Sequence, residues 1–138
     1  MRASIAFSAG MLLSGAGWCA QGETLFNNTC AACHQKGGIG TPGIAPPLTN
    51  SALWSRLGPN AVKYIAGVML FGMSGKLDGP EATLIMPPQD QLSDADLAAI
   101  GSYVLKGLNG VNSTLDAKTV AAVRTSSPSH FDLRALRK

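Results

Sequence analysis

Apolar residues recur at helical spacing in three stretches of the chain, and nowhere alternate as they do along a half-buried strand. The clearest stretch is "SDADLAAIGSYVLKGLNG", where Leu97, Ile100, Val104, Leu105 and Leu108 form one stripe. Ser93 opens it with Asp96 three residues on, a capping-box arrangement, and Asn109 and Gly110 mark its end. In "NAVKYIAGVMLFG", Val62, Ile65, Val68 and Met69 recur at the same spacing. Pro59 and Asn60 start that helix, which runs to about Phe71 before Gly72 stops it. A further helix is expected from Gly22 to His34, with few breakers and with Leu25 and Phe26 on one side. Glycine- and proline-rich loops such as "KGGIGTPGIAPP" lie between them. The pattern predicts an all-α domain whose loops are poor material for a core of their own.

The N-terminal run has another character. After Arg2 an uncharged, largely apolar run extends from Ala3 to about Gly17, too short for a comfortable membrane span and suited to the apolar region of a secretory signal. Cleavage after Cys19 places small residues, Gly17 and Cys19, where a signal peptidase reads them; cleavage after Ala20 would present bulky Trp18 instead. The expected division is a signal peptide over residues 1–19, a domain over 20–110 and a basic extension over 111–138. Export to the periplasm follows, with no stable membrane span after cleavage. The 138 residues suffice for one compact core. With 14% charged residues and a net charge of +3, the chain lacks the clustered basic face of a nucleic-acid binder.

Three cysteines exclude a disulfide-dense scaffold, and once Cys19 leaves with the signal only Cys30 and Cys33 remain. A disulfide between them is one reading, but a thioredoxin-like redox fold needs strands that the pattern lacks. Zinc is another, but adjacent Cys33 and His34 cannot easily share one tetrahedral ion, and the remaining histidine, His130, lies in a distant polar tail. The third reading uses every residue of "CAACH". Cys-x-x-Cys-His is the attachment signature of c-type haem: two thiols one helical turn apart add across the vinyl groups, and the histidine becomes the proximal iron ligand. A second axial ligand must then come from Met69, Met73, Met86 or His130. Met69 falls on the apolar face of its helix, and Met73 in a turn-like stretch after Gly72. Met86 precedes two prolines in "IMPPQ", so its backbone is extended and stiff, and it is the favoured thioether ligand. Trp54 has two readings, an indole donor to a haem propionate or a plain core residue.

The chain resembles a class I cytochrome c over roughly residues 21 to 108, through "GETLFNNTCAACH", "GIAPPL" and "IMPPQDQLSDADLAAIGSYVL" in that order. The resemblance implies an all-helical fold around one covalent haem, Cys30 and Cys33 as thioether anchors, and His34 and Met86 as axial ligands. It also implies that Pro46, within "PPL", offers its carbonyl to His34, and that the first and last helices cross at Gly22, Phe26 and Tyr103. A haem gives the loops an apolar face to pack on, so the apo chain is expected to be largely unfolded. The implied function is one-electron transfer rather than catalysis, by a carrier or the electron-accepting subunit of a dehydrogenase. Its partners would be redox proteins, a dehydrogenase donor and an oxidase or cytochrome acceptor. The alternative is an open-site haem sensor or enzyme, in which Met86 leaves the iron free.

The tail continues past this resemblance. Over residues 118–138, Lys118, Arg124, Arg134, Arg137 and Lys138 face only Asp132, a balance of +4, which suits an arm docking on an acidic partner. The other reading is two short helices folded on the body, the second capped by Ser129 with Asp132 and packed through Phe131, Leu133 and Leu136. His130 is expected on the surface.

Overall fold

The computed structural model describes residues 16–77 and 84–138. Helix α1 spans Ala16–Thr29 and is followed at once by the single turn of α2, Ala31–His34. After the glycine-rich loop come α3, Ser51–Leu57, and α4, Ala61–Phe71. Two short strands follow, β1, Met73–Gly75, and β2, Leu84–Met86. Helix α5, Asp94–Ser102, continues as a π-helical segment over Tyr103–Leu108. The extension folds into α6, Ala117–Ser126, and α7, His130–Ala135. Residues 1–15 of the expected signal lie outside the described residues, and α1 runs unbroken through the expected cut after Cys19.

The mostly helical fold comes with one small sheet that the hydrophobic pattern did not announce. β1 and β2 pair antiparallel, with Met73 opposite Met86 and Ser74 opposite Ile85. Three residues per strand are too few for alternation to show. Met73 is therefore a buried strand residue and not part of an open turn.

α1 and α5 cross at Gly22. A Cβ there would run into the Ala99 carbonyl, so only glycine allows the backbones this close. One turn further along, Phe26 is fully buried and meets Tyr103 with ring centroids 5.4 Å apart at 55°. Burying such a side chain contributes about 2 kcal/mol. Ser93 caps α5 by accepting from the Asp96 amide at 3.1 Å; the Asp96 carboxylate accepts from the Ser93 hydroxyl at 2.7 Å. The full reciprocal box forms instead at α7, between Ser129 and Asp132.

The extension packs through Val120, Val123 and Leu133, all buried in the same core as Leu70, Leu97 and Leu105. Leu136 is partly buried beside them, but Phe131 is 71% exposed. Leu133 and Leu136 lie three apart on one helical face, which puts Phe131, two residues before Leu133, on the opposite side. His130 is half-buried rather than on the surface.

Candidate functional site

The motif is delivered by a tight turn. Cys30 N–H closes the end of α1 on Phe26 O at 2.8 Å, and the Cys33 and His34 amides return to Cys30 O at 3.2 and 2.9 Å. This single turn places both thiols and the imidazole together. The chain then leaves sharply: Gln35 holds φ +61° and ψ 160°, a conformation rare for a residue with a Cβ. The Gly40 amide returns to His34 O at 2.8 Å, and the Thr41 hydroxyl to Cys33 O at 2.8 Å.

His34 is buried, and its Nδ1 lies 3.1 Å from Pro46 O. A carbonyl only accepts, so Nδ1 carries the proton and Nε2 keeps a free lone pair. Among the described residues nothing hydrogen-bonds that Nε2. Burial lowers the imidazole's affinity for protons, and the Pro46 contact opposes this only in part, so the ring is held neutral.

Both thiols are free, Cys33 exposed and Cys30 partly buried. Burial, with Cys33 as a second cause, pushes the Cys30 thiol up to about 11. Among the described residues no third or fourth His, Cys, Asp or Glu gathers to form a metal-ion cage. Two free thiols on one turn, beside an imidazole with an oriented lone pair, match the donor set of a covalent haem.

The Pro46 carbonyl is itself fixed. Two residues on, Leu48 N–H donates to Gly38 O at 2.7 Å. Leu48 O accepts from Trp54 Nε1 and from Asn109 Nδ2, each at 2.9 Å. The Trp54 indole, one candidate donor to a propionate, thus donates to the backbone that carries Pro46, and its ring meets Tyr64 edge-on at 6.2 Å. Asn109 also donates to Val104 O at 2.8 Å and accepts from the Asn50 amide at 3.0 Å. The sequence marked Asn109 only as a helix end; its side chain ties that end to the loop behind His34. Nothing in its local context signals a contact with residues 59 and 61 positions away.

Met86 ends β2 and is partly buried against the core. Gly72, at φ +71°, stops α4, and a Cβ there would strike the Met86 carbonyl. Beyond the two prolines, the Gln89 amide donates to Met69 O at 2.8 Å. Met69 is 5% exposed and packs in the core.

Residues 19–107 match the family model described as cytochrome c. The chain is 31% identical over 77 residues to cytochrome c-552 of Thermus thermophilus, covering 54% of this chain and 59% of that protein. It is 31% identical over 99 residues to cytochrome c-552 of Nitrosomonas europaea, covering 72% and 89%. It is 32% identical over 110 residues to the fructose dehydrogenase cytochrome subunit of Gluconobacter japonicus, covering 75% of this chain and 22% of that subunit. The chain thus spans under two thirds of the Thermus protein and about a fifth of the Gluconobacter one.

Proposed function

The chain belongs to the cytochrome c family, which implies haem-based electron transfer; we propose that its haem is held by Cys30, Cys33, His34 and Met86 and serves as a one-electron carrier. The observation that carries this reading is the buried His34 ring, oriented by Pro46 O with its Nε2 left open, one residue from a free thiol. Bound there, the haem supplies an iron that gains and loses one electron.

The protein's residues do the rest. Cys30 and Cys33 anchor the group through thioether bonds. Pro46 fixes the proximal ring and strengthens it as a ligand. Trp54 acts on the site through Leu48, by holding the segment that presents Pro46. Met86, stiffened by the prolines after it, supplies a thioether, which favours a higher reduction potential than a second histidine. With His34 and Met86 both holding it, the iron would exchange an electron with little change at either residue.

A leader over residues 1–19 would direct the chain to the periplasm, leaving the haem domain over 20–110 and the extension over 111–138. Among the described residues no helix is long and apolar enough to cross a membrane. The likeness to a dehydrogenase cytochrome subunit supports a place as the electron acceptor of a dehydrogenase, passing electrons to an oxidase or another cytochrome.

Visible absorption of the purified protein, oxidised and reduced, with and without carbon monoxide, tests the reading. The expected result is a low-spin c-type spectrum with the weak long-wavelength band of a methionine–ferric bond, lost in Met86→Ala. A high-spin ferrous spectrum and ready carbon monoxide binding in the unmutated protein would instead establish an open-site sensor or enzyme.

A further inference from the structure

The family match ends at residue 107, and the chain beyond it does something definite to the Met86 region. Three of the five basic residues counted above for a docking arm are turned inward. Arg124 donates to Asp94 Oδ1 through Nε at 3.0 Å and Nη2 at 2.8 Å. It also donates to Leu92 O at 3.1 Å and to Asp90 O at 3.0 Å. Residues 90–94 are the stretch by which the chain passes from Met86 and its prolines into α5.

α7 holds the other strand. His130 Nε2 lies 3.0 Å from Phe71 O, and its Nδ1 lies 2.9 Å from the Ser74 hydroxyl. Phe71 O only accepts, so Nε2 carries a proton, while Nδ1 can accept from the hydroxyl or donate to it. Both contacts therefore hold for imidazole and imidazolium alike. Arg134 donates to Ser74 O, and Arg137 reaches the Tyr64 hydroxyl at 2.6 Å with its guanidinium 5.6 Å from that ring's centre. Leu133 fills the space over Gly67 on α4, where a Cβ would strike it.

A two-stranded hairpin with three residues a side is marginal by itself. Here β1 is gripped from α7, and the chain after β2 is gripped from α6. We propose that the C-terminal extension is a brace for the Met86 hairpin, and that Arg124, His130 and Arg134 are positioning residues that set how readily the thioether leaves the iron. This rests on the reading of Met86 as the axial ligand.

The test uses the purified haem-loaded protein and three variants: Arg124→Met, the pair His130→Ala with Arg134→Met, and Val120→Ala as a control that weakens α6 packing without touching the hairpin contacts. Two quantities are read, the rate of carbon monoxide capture by the ferrous protein and the hydrogen exchange of the amides of residues 73–75 and 84–86. Each brace variant is expected to raise both by about tenfold, the loss of one charge-assisted contact network. Val120→Ala, at a comparable loss of melting temperature, leaves both near the unmutated values. The proposal is overturned if the brace variants move these quantities no more than Val120→Ala does. If the unmutated protein shows no methionine–iron bond, the Met86 reading falls, as does the claim about thioether release. The hairpin brace is then decided by exchange alone: faster in the brace variants sustains it, unchanged overturns it.

Discussion

The loop behind His34 and the hairpin that carries Met86 are fastened in different ways. The proximal side is tied mostly by near neighbours: His34 to Pro46 and Cys33 to Thr41, 12 and 8 residues apart. One remote residue, Asn109, closes it. The Met86 side has a three-pair ladder and then depends on residues 30 to 60 positions away, on Arg124, His130 and Arg134. Close contacts cost little chain entropy to form, so the proximal side is nearly self-contained. The Met86 side takes its rigidity from elements that the shared family core lacks. On the proposed ligation, loss is therefore expected at Met86, with His34 staying in place.

The largest test of that contrast removes the proposed proximal ligand. His34→Ala is expected to abolish the folded, haem-loaded protein, leaving far-UV circular dichroism of a largely unstructured chain, whereas Met86→Ala retains covalent haem. Recovery of a loaded, folded His34→Ala protein would show that the proximal side is not the foundation. Gly22→Leu strikes what both sides share, forcing α1 and α5 apart. It should lower unfolding free energy by about 3 kcal/mol in urea titration, with exchange rising on both sides together.

Asn109→Ala separates the sides again. Losing its bonds to Leu48, Val104 and Asn50 is expected to cost about 2 kcal/mol. Amide exchange should rise at residues 38–50 and stay unchanged at 73–75. Gln35→Gly works in the opposite direction: relief of the positive φ stabilises the proximal turn by about 1 kcal/mol, seen as a higher melting temperature with no change at the hairpin.

The smallest effect is on the brace, in acid. Hydrogen bonds from Thr119 hold the Asp116 carboxyl below its usual range, and bonds from Ser129 do the same for Asp132. A carboxyl with a depressed folded value adds stability above its unfolded value, about 4. That stability is lost as pH falls through the folded value. Exchange in α6 and α7 should therefore rise on acidification below about pH 4. A rise already complete above about pH 5 would mean that these caps do not set the acid response.

The same contrast explains what the sequence disclosed. The α4 and α5 stripes, the Ser93 and Ser129 caps and the turn bearing Cys30, Cys33 and His34 are local patterns, and local patterns are legible. The hairpin was not, because three-residue strands carry no period. Nor was the inward turn of Arg124 and Arg134: a run of basic residues looks the same on a free arm as when each meets a carbonyl across the fold. Phe131 shows the limit within a single helix, where apolar character alone did not say which face it occupies. Trp54 and Asn109 were visible as residues, but their common partner, the Leu48 carbonyl, is a backbone atom that no side-chain pattern encodes.

The bond from Asn109 to Leu48 also has a bearing on time. A chain delivered N-terminus first presents Cys30, Cys33 and His34 long before residue 109 exists. The tie that closes the loop behind His34 can therefore form only once the far end of the domain has arrived.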